Sequence, residues 1–139
     1  MLKFSRGVSF VSGVLSLAVI GFAPVMTAHA APLDAAQMAA GEKAFAQCKA
    51  CHNLAAAAKD SVGPNLYGVY GTKAGAHSTT FKYSAAMKAS GLTWDDATLD
   101  TFLSGPTKAV PGTKMAYRGV TDPATRKALI YYIKAQSAK

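Results

Sequence analysis

Two cysteines and a histidine stand close together in the chain, as Cys48, Cys51 and His52. Residues three apart at a helix end present their two thiols to the same side, and the histidine follows at once. This spacing is the attachment signature of c-type haem, in which both thiols add to one porphyrin edge and the imidazole binds the iron. The sequence therefore predicts one covalently attached haem c, with His52 as an axial ligand of its iron.

Other chemistries also use closely spaced cysteines. A disulfide between Cys48 and Cys51 could form in an oxidising compartment, and a thioredoxin-like redox motif has the same spacing. That motif belongs to a βαβ unit, for which the sequence shows no pattern. A structural zinc site needs four ligands, usually from a second pair, and His77 is the only other histidine after residue 30. Haem attachment is therefore the favoured interpretation.

The side chain opposite His52 decides the function. Met38, Met87, Met115 and His77 offer sulfur or nitrogen after residue 30. A methionine on a helix face is usually core filler, and Met38 and Met87 lie in predicted helices. Met115 lies in a loop whose proline and glycine allow one side chain to point inward. Local context favours Met115 and leaves His77 and Met87 open.

The composition also calls for a bound group. Half of the 139 residues are hydrophobic, yet the 109 residues after position 30 hold only 20 large hydrophobes other than tyrosine. A domain this small has little surface to bury, and a cofactor is one usual way to complete its core. Charged residues are 16% of the chain with no charge run, which argues against long disorder. Two cysteines cannot form a disulfide-rich scaffold.

Residues 1–30 have the pattern of a secretory signal peptide. Lys3 and Arg6 precede an uncharged run over 7–26, and Ala28 and Ala30 form a small-residue cleavage pattern. Cleavage after about Ala30 would leave a mono-haem domain over 31–139 in a bacterial periplasm. The alternative is an uncleaved membrane anchor, which the glycines and the proline of the run disfavour.

The domain is predicted to contain short helices separated by glycine-rich loops and no strand. The first helix covers 34–47, with Asp34 and Gln37 as a capping box and an apolar face that includes Gly41 and Phe45. Three more helices are predicted: 84–89 before Gly91, 95–104 with Thr93 and Asp96 as caps, and 124–135 after Asp122 and Pro123. About thirty residues between Cys51 and Phe81 lack periodicity, which is reasonable for a loop wrapped around a cofactor.

Five separated motifs occur in a fixed order: Cys48–His52, Gly63–Leu66, Phe81–Ser84, Gly91–Trp94 and Pro111–Met115. With these motifs the chain resembles the class I cytochromes c, of the mitochondrial cytochrome c and bacterial cytochrome c2 type, from about Gly41 to Gln136. The resemblance implies an all-α cytochrome c fold, in which four to five short helices and long loops wrap around one covalently attached haem.

The resemblance also implies roles for single residues. Pro64 would accept a hydrogen bond from the proximal ligand His52 and so orient it. Met115 would be the distal ligand. Tyr83 and Trp94 would donate hydrogen bonds to a haem propionate.

Two further expectations come from the resemblance. Gly41 and Phe45 of the first helix would cross the last helix at Leu129 and Tyr132. Three positions depart from the mitochondrial pattern, which has a tyrosine, an asparagine and an arginine near the haem: Phe102, Met87 and Thr72. We expect these departures to change the hydration and the potential of the haem.

With both axial positions filled by protein, the expected function is one-electron transfer and not an enzyme reaction. Residues 31–139 carry 13 Lys and Arg against seven acidic residues. No nucleic-acid motif accompanies this charge, so we expect a monomer that meets an acidic reductase and oxidase through Lys49, Lys108 and Lys114, without membrane insertion after signal cleavage. The alternatives are a subunit of a larger redox complex and a haem protein with an open sixth site.

Overall fold

The computed structural model describes residues 31–137 and contains five helices and no strand in that range. They are α1 (Ala31–Phe45), α2 (Ala85–Ala89), α3 (Asp96–Ser104), α4 (Pro106–Ala109) and α5 (Pro123–Ser137). The fold is all-α as predicted, and the predicted signal peptide lies outside the described residues. Within them, no helix is both long and apolar enough to cross a membrane.

Helices α1 and α5 cross at a glycine. A methyl group on Gly41 would overlap the carbonyl oxygen of Ala128 and would lie 2.5 Å from the Cβ of Tyr132. One turn further along α1, the ring of Phe45 packs 5.7 Å from the ring of Tyr132. Leu129 has no exposed surface. The crossing expected from the resemblance is therefore confirmed, and it fixes where α1 ends and the Cys48–His52 segment begins.

The predicted cap of α3 is wrong. Asp95 is the N-cap, and its carboxylate accepts a 2.7 Å hydrogen bond from the backbone N–H of Thr98. Thr93 lies two residues before this N-cap and pairs with Lys73 in an isolated antiparallel bridge. Asp96 is the first residue of the helix itself.

The capping box predicted for α1 is also wrong. The helix begins at Ala31, so Asp34 lies inside its first turn. The Asp34 carboxylate instead interacts with the hydroxyl of Tyr131 on α5 and raises the pKa of that tyrosine. A contact to another helix has replaced the local cap.

The remaining helices lie close to their predicted ranges, with one addition. Ser84 caps α2 by accepting a hydrogen bond from the N–H of Met87, and Asp122 does the same for Thr125 in α5. The sequence analysis missed α4, which begins at Pro106 directly after α3 ends at Ser104. Proline suits the first position of a helix because its missing N–H has no partner there.

Candidate haem-binding site

The two cysteines lie in helical turns that continue from the end of α1. The N–H of Cys48 donates to the carbonyl of Phe45 at 2.8 Å, and the N–H of His52 donates to the carbonyl of Cys48 at 2.9 Å. These turns place two half-buried thiols on one side of the chain, as the haem-attachment prediction requires. Burial, and then the nearby Cys51 thiolate, raise the pKa of Cys48 to about 11.

His52 is held by its Nδ1 atom. This nitrogen donates a 2.7 Å hydrogen bond to the carbonyl oxygen of Pro64, which leaves Nε2 as the atom with a free lone pair. Burial lowers the pKa of His52, with the Pro64 bond acting in the opposite direction. A neutral imidazole with one nitrogen fixed by a carbonyl is the form that binds metals.

Gly63 makes room for the imidazole. A methyl group there would overlap the ring of His52, at 2.7 Å from both ring nitrogens. The N–H of Gly63 donates to the carbonyl of Cys51 at 2.8 Å, so the same loop that holds Pro64 is tied back to the attachment motif. The backbone of Gly63 therefore lies directly against the ring, and only glycine allows this approach.

Asn65 keeps the Pro64 segment in shape. Its side-chain amide nitrogen donates to the carbonyls of Ala55 and Ala58, at 2.9 and 2.7 Å. Its backbone N–H donates to the carboxylate of Asp60 at 2.8 Å. The loop between His52 and Pro64 is thus closed by side-chain hydrogen bonds in place of secondary structure.

Asp60 also fastens the segment that precedes Tyr83. Its carboxylate accepts hydrogen bonds from the hydroxyls of Ser78, at 2.6 Å, and Thr80, at 2.5 Å. These bonds, together with the one from Asn65, lower the pKa of Asp60. The Tyr83 oxygen accepts a 3.1 Å hydrogen bond from the backbone N–H of Ser78, and its own proton remains available for donation.

Trp94 is 8% exposed and packs 4.9 Å from the ring of Phe102. Among residues 31–137 its indole N–H has no hydrogen-bond acceptor, whereas its backbone N–H donates to the carbonyl of Thr72 at 3.0 Å. The Thr72 hydroxyl is itself bound to the carbonyl of Val69. Phe102 and Thr72, two of the three departures from the mitochondrial pattern, thus contact other protein groups. The indole N–H of Trp94 has no acceptor among the described residues.

Met115 lies in the loop over 110–122, and its half-buried side chain packs against the hydrophobic core. Two residues later, burial raises the pKa of Tyr117. Met87 instead is 7% exposed and lies inside the core. His77 lies beside Asp60, whose pKa its charge lowers.

These residues fit a c-type haem. The structure offers a pair of half-buried thiols, an imidazole with Nε2 free and Gly63 against its ring, and, on the mostly buried Trp94, an indole N–H without an acceptor among residues 31–137. Within residues 31–137, no group of three or more His, Cys, Asp or Glu side chains comes together to hold a metal ion by itself.

The sequence pattern of the cytochrome c family matches residues 38–137. The chain belongs to the cytochrome c family. Two relatives are the cytochromes c2 of Rhodomicrobium vannielii, 44% identical over 88% of this chain and 95% of that one, and of Rhodoblastus acidophilus, 46% identical over 72% and 95%. The solved structure of cytochrome cH from Methylobacterium extorquens is 52% identical over 70% of this chain and 97% of that one, with a TM-score of 0.67.

As a class I c-type cytochrome, the protein carries one covalently attached haem c and serves electron transport with redox protein partners. The resemblance, the cofactor and the fold class predicted from the sequence are confirmed.

Three residues that shape the cytochrome's site were not predicted from the sequence: Gly63, Asn65 and Asp60. Gly63 and Asn65 flank Pro64 in a motif that was recognised, but no role was assigned to them. A glycine next to the histidine's hydrogen-bond acceptor was the signal available. Asp60 gave no local signal, because its partners lie up to 20 residues away in the chain.

Proposed function

We propose that this cytochrome is a one-electron carrier of the periplasm in which His52 and Met115 are the two axial ligands of the haem iron. Cys48 and Cys51 would hold the haem by thioether links. When bound, the haem supplies an iron that takes up and releases one electron. The proposal rests above all on the 2.7 Å hydrogen bond from His52 Nδ1 to the carbonyl of Pro64, which leaves Nε2 to bind the iron.

The assignment of Met115 is supported by the placement of the other candidates. Met87 is enclosed by core side chains, and Ser78, the residue after His77, is hydrogen-bonded to Asp60. Met115 is half-buried in a loop and packs against the same hydrophobic core as Cys48. Two protein ligands would leave the iron no open position for a substrate, so we propose no enzyme reaction.

Tyr83 and Trp94 are proposed to donate to a propionate of the haem. Trp94 supports this with an indole N–H that has no protein acceptor in the described residues, and Tyr83 with a hydroxyl that accepts from Ser78 and keeps its proton. A buried carboxylate is stable only when such donors surround it. These two side chains would therefore both anchor the haem and compensate its charge.

The compartment and the partners complete the proposal. Residues 1–30 would direct the chain across the inner membrane and be removed after about Ala30. The mature cytochrome, a monomer over 31–139, would carry electrons between a reductase and an oxidase with acidic surfaces. Lys49, Lys108 and Lys114 are all exposed, as this role requires.

The experiment is an absorption spectrum of the purified protein in both redox states. We expect the weak long-wavelength band of a sulfur-to-ferric-iron bond in the wild type, its loss in Met115→Leu and its retention in Met87→Leu. Both variants exchange the thioether for a hydrocarbon of similar volume, so packing changes are matched. Loss of the band only in Met87→Leu would transfer the ligand role to that residue.

Two outcomes would favour the alternatives. Tight binding of carbon monoxide by the reduced wild type would indicate an open sixth site and would overturn the Met115 assignment. Co-purification of the cytochrome from its native source in a stable assembly would show a subunit of a larger redox complex.

A further inference from the structure

The loop over 110–122 has few hydrogen bonds of its own. Its first part turns through a 3.0 Å bond from the N–H of Thr113 to the carbonyl of Val110. The N–H of Met115 reaches the Thr113 hydroxyl at 3.3 Å. In the described residues, the backbone of 116–119 makes no hydrogen bond at all. The position of Met115 therefore depends on how the second part of the loop is fastened.

The second part is fastened at Gly119 and Val120. Gly119 has a φ of +102° and lies so close to the end of α3 that a methyl group would be 2.6 Å from the carbonyl carbon of Ser104. The N–H of Val120 donates to the carbonyl of Leu103 at 2.8 Å. From the other side, Nη1 of Arg126 donates to the Val120 carbonyl, also at 2.8 Å. Val120 is thus bound to α3 and to α5 at once.

Arg126 is in turn oriented by Asp100 on α3. Its Nε and Nη2 atoms donate to the two carboxylate oxygens of Asp100, at 2.6 and 3.2 Å. The Arg126 side chain is only 11% exposed. This two-pronged geometry is open to arginine and not to lysine, whose ammonium is a single point.

The position of Arg126 in α5 is otherwise unfavourable. It lies in the first turn, where the partial positive charge of the helix dipole disfavours a cation. The side chain nevertheless points to the loop and to Asp100. Its contacts, and not helix stability, explain why an arginine stands there.

We propose that Arg126 is a positioning residue that keeps the Met115 loop closed and so limits access of outside ligands to the iron. This inference rests on the proposed function in one respect, the assignment of Met115 as a ligand. Loss of the Arg126 contacts would raise the fraction of molecules in which the loop is open. The apparent affinity for an outside ligand rises in proportion to that fraction.

The test measures the binding of imidazole to the ferric haem protein. The loss of the sulfur-to-iron band reports this binding. We expect Arg126→Lys to bind imidazole about tenfold more tightly than the wild type, since charge-assisted hydrogen bonds are lost. The matched control is Asp96→Asn. It breaks the 3.0 Å ion pair between Asp96 and Lys134, which also joins α3 to α5 but makes no contact with the loop.

Hydrogen exchange of the Val120 amide gives a second readout that does not depend on the iron ligand. We expect the Val120 amide to exchange faster in Arg126→Lys, while the amides in the middle of α3 exchange as in the wild type. Equal imidazole affinity and equal Val120 exchange in the wild type and both variants would overturn the proposal. So would a rise in affinity that merely follows the loss of global stability, measured by urea unfolding, in both variants alike. If the wild type lacked the sulfur-to-iron band, the Met115 assignment would be wrong. The exchange experiment would still test whether Arg126 holds Val120 in place.

Discussion

A histidine that binds a metal must be turned to the right angle, and here a glycine and a carbonyl oxygen do this together. The Pro64 carbonyl fixes Nδ1 of His52, and the backbone of Gly63 lies directly against the ring. Because the hydrogen bond and the steric contact act on the same ring, a displacement caused by one must strain the other.

We therefore expect Gly63→Ala to lower the free energy of unfolding of the haem protein by about 1–3 kcal/mol, the usual cost of overpacking. The methyl group would push the ring away from Pro64, so the NMR signal of the Nδ1 proton should also shift. Urea unfolding and proton NMR measure the two effects. Gly105→Ala is the control, because that glycine has an extended φ of 179° and its nearest neighbour would be 3.6 Å away. An unchanged Nδ1 proton signal of His52 in Gly63→Ala would show that Gly63 does not set the position of the ring.

At the scale of single residues, the sequence predicted what depends on chemical type. Cys48, Cys51 and His52 were predicted because two thiols and an imidazole at this fixed spacing are recognisable. The role of Pro64 was predicted from the resemblance alone, and that of Met115 from its loop together with the resemblance. The roles of Gly63 and Asp60 depend instead on which side chains the fold brings to them. Nothing in the neighbouring sequence records that contact.

At the scale of helices, the α1–α5 crossing shows how a local propensity is overridden. Glycine in a helix interior costs about 1 kcal/mol relative to alanine. Gly41 is nevertheless required, because a methyl group would overlap the carbonyl of Ala128 on the partner helix. The close approach lets Phe45 reach Tyr132 and seals the core next to the attachment motif.

This conflict gives a test, because helix propensity and the contact predict opposite changes in the free energy of unfolding. Propensity alone predicts that Gly41→Ala stabilises the protein, whereas the contact predicts a net loss of about 1–2 kcal/mol in the free energy of unfolding. Ala39→Gly, on the exposed side of α1, measures the propensity effect in the same helix. Urea unfolding of both variants decides between the two. Stabilisation by Gly41→Ala would show that the helices separate easily at this point.

The ends of the helices show which features could be predicted from the sequence and which could not. The ranges of α2, α3 and α5 were close because apolar spacing and the flanking glycines and prolines agree there. The cap of α3 was misplaced because the neighbouring Asp95 takes the N–H of Thr98. The cap of α1 was wrong because Asp34 lies inside the helix, where it interacts with Tyr131 of α5. One error thus came from a competing local residue and the other from a contact distant in the sequence.

At the scale of the whole molecule, the scarcity of large side chains and the excess of positive charge have different consequences. The 20 large hydrophobes after residue 30 are few for a core, and the haem c of this family supplies an apolar body in their midst. The charge is unevenly distributed: α3 and its cap hold Asp95, Asp96 and Asp100, whereas lysines flank the haem motifs.

The lysines near the haem motifs should therefore guide an anionic electron donor. We expect the reduction rate with hexacyanoferrate(II) to fall as ionic strength rises, because salt screens charges beyond about 10 Å at 0.1 M. Lys114→Gln, next to the proposed ligand, should weaken this salt dependence more than Lys127→Gln, which removes the same charge from an exposed position on α5. Stopped-flow rates at several salt concentrations measure the slopes. Equal slopes in the two variants would mean that only net charge matters, and a rate indifferent to salt would exclude electrostatic guidance altogether.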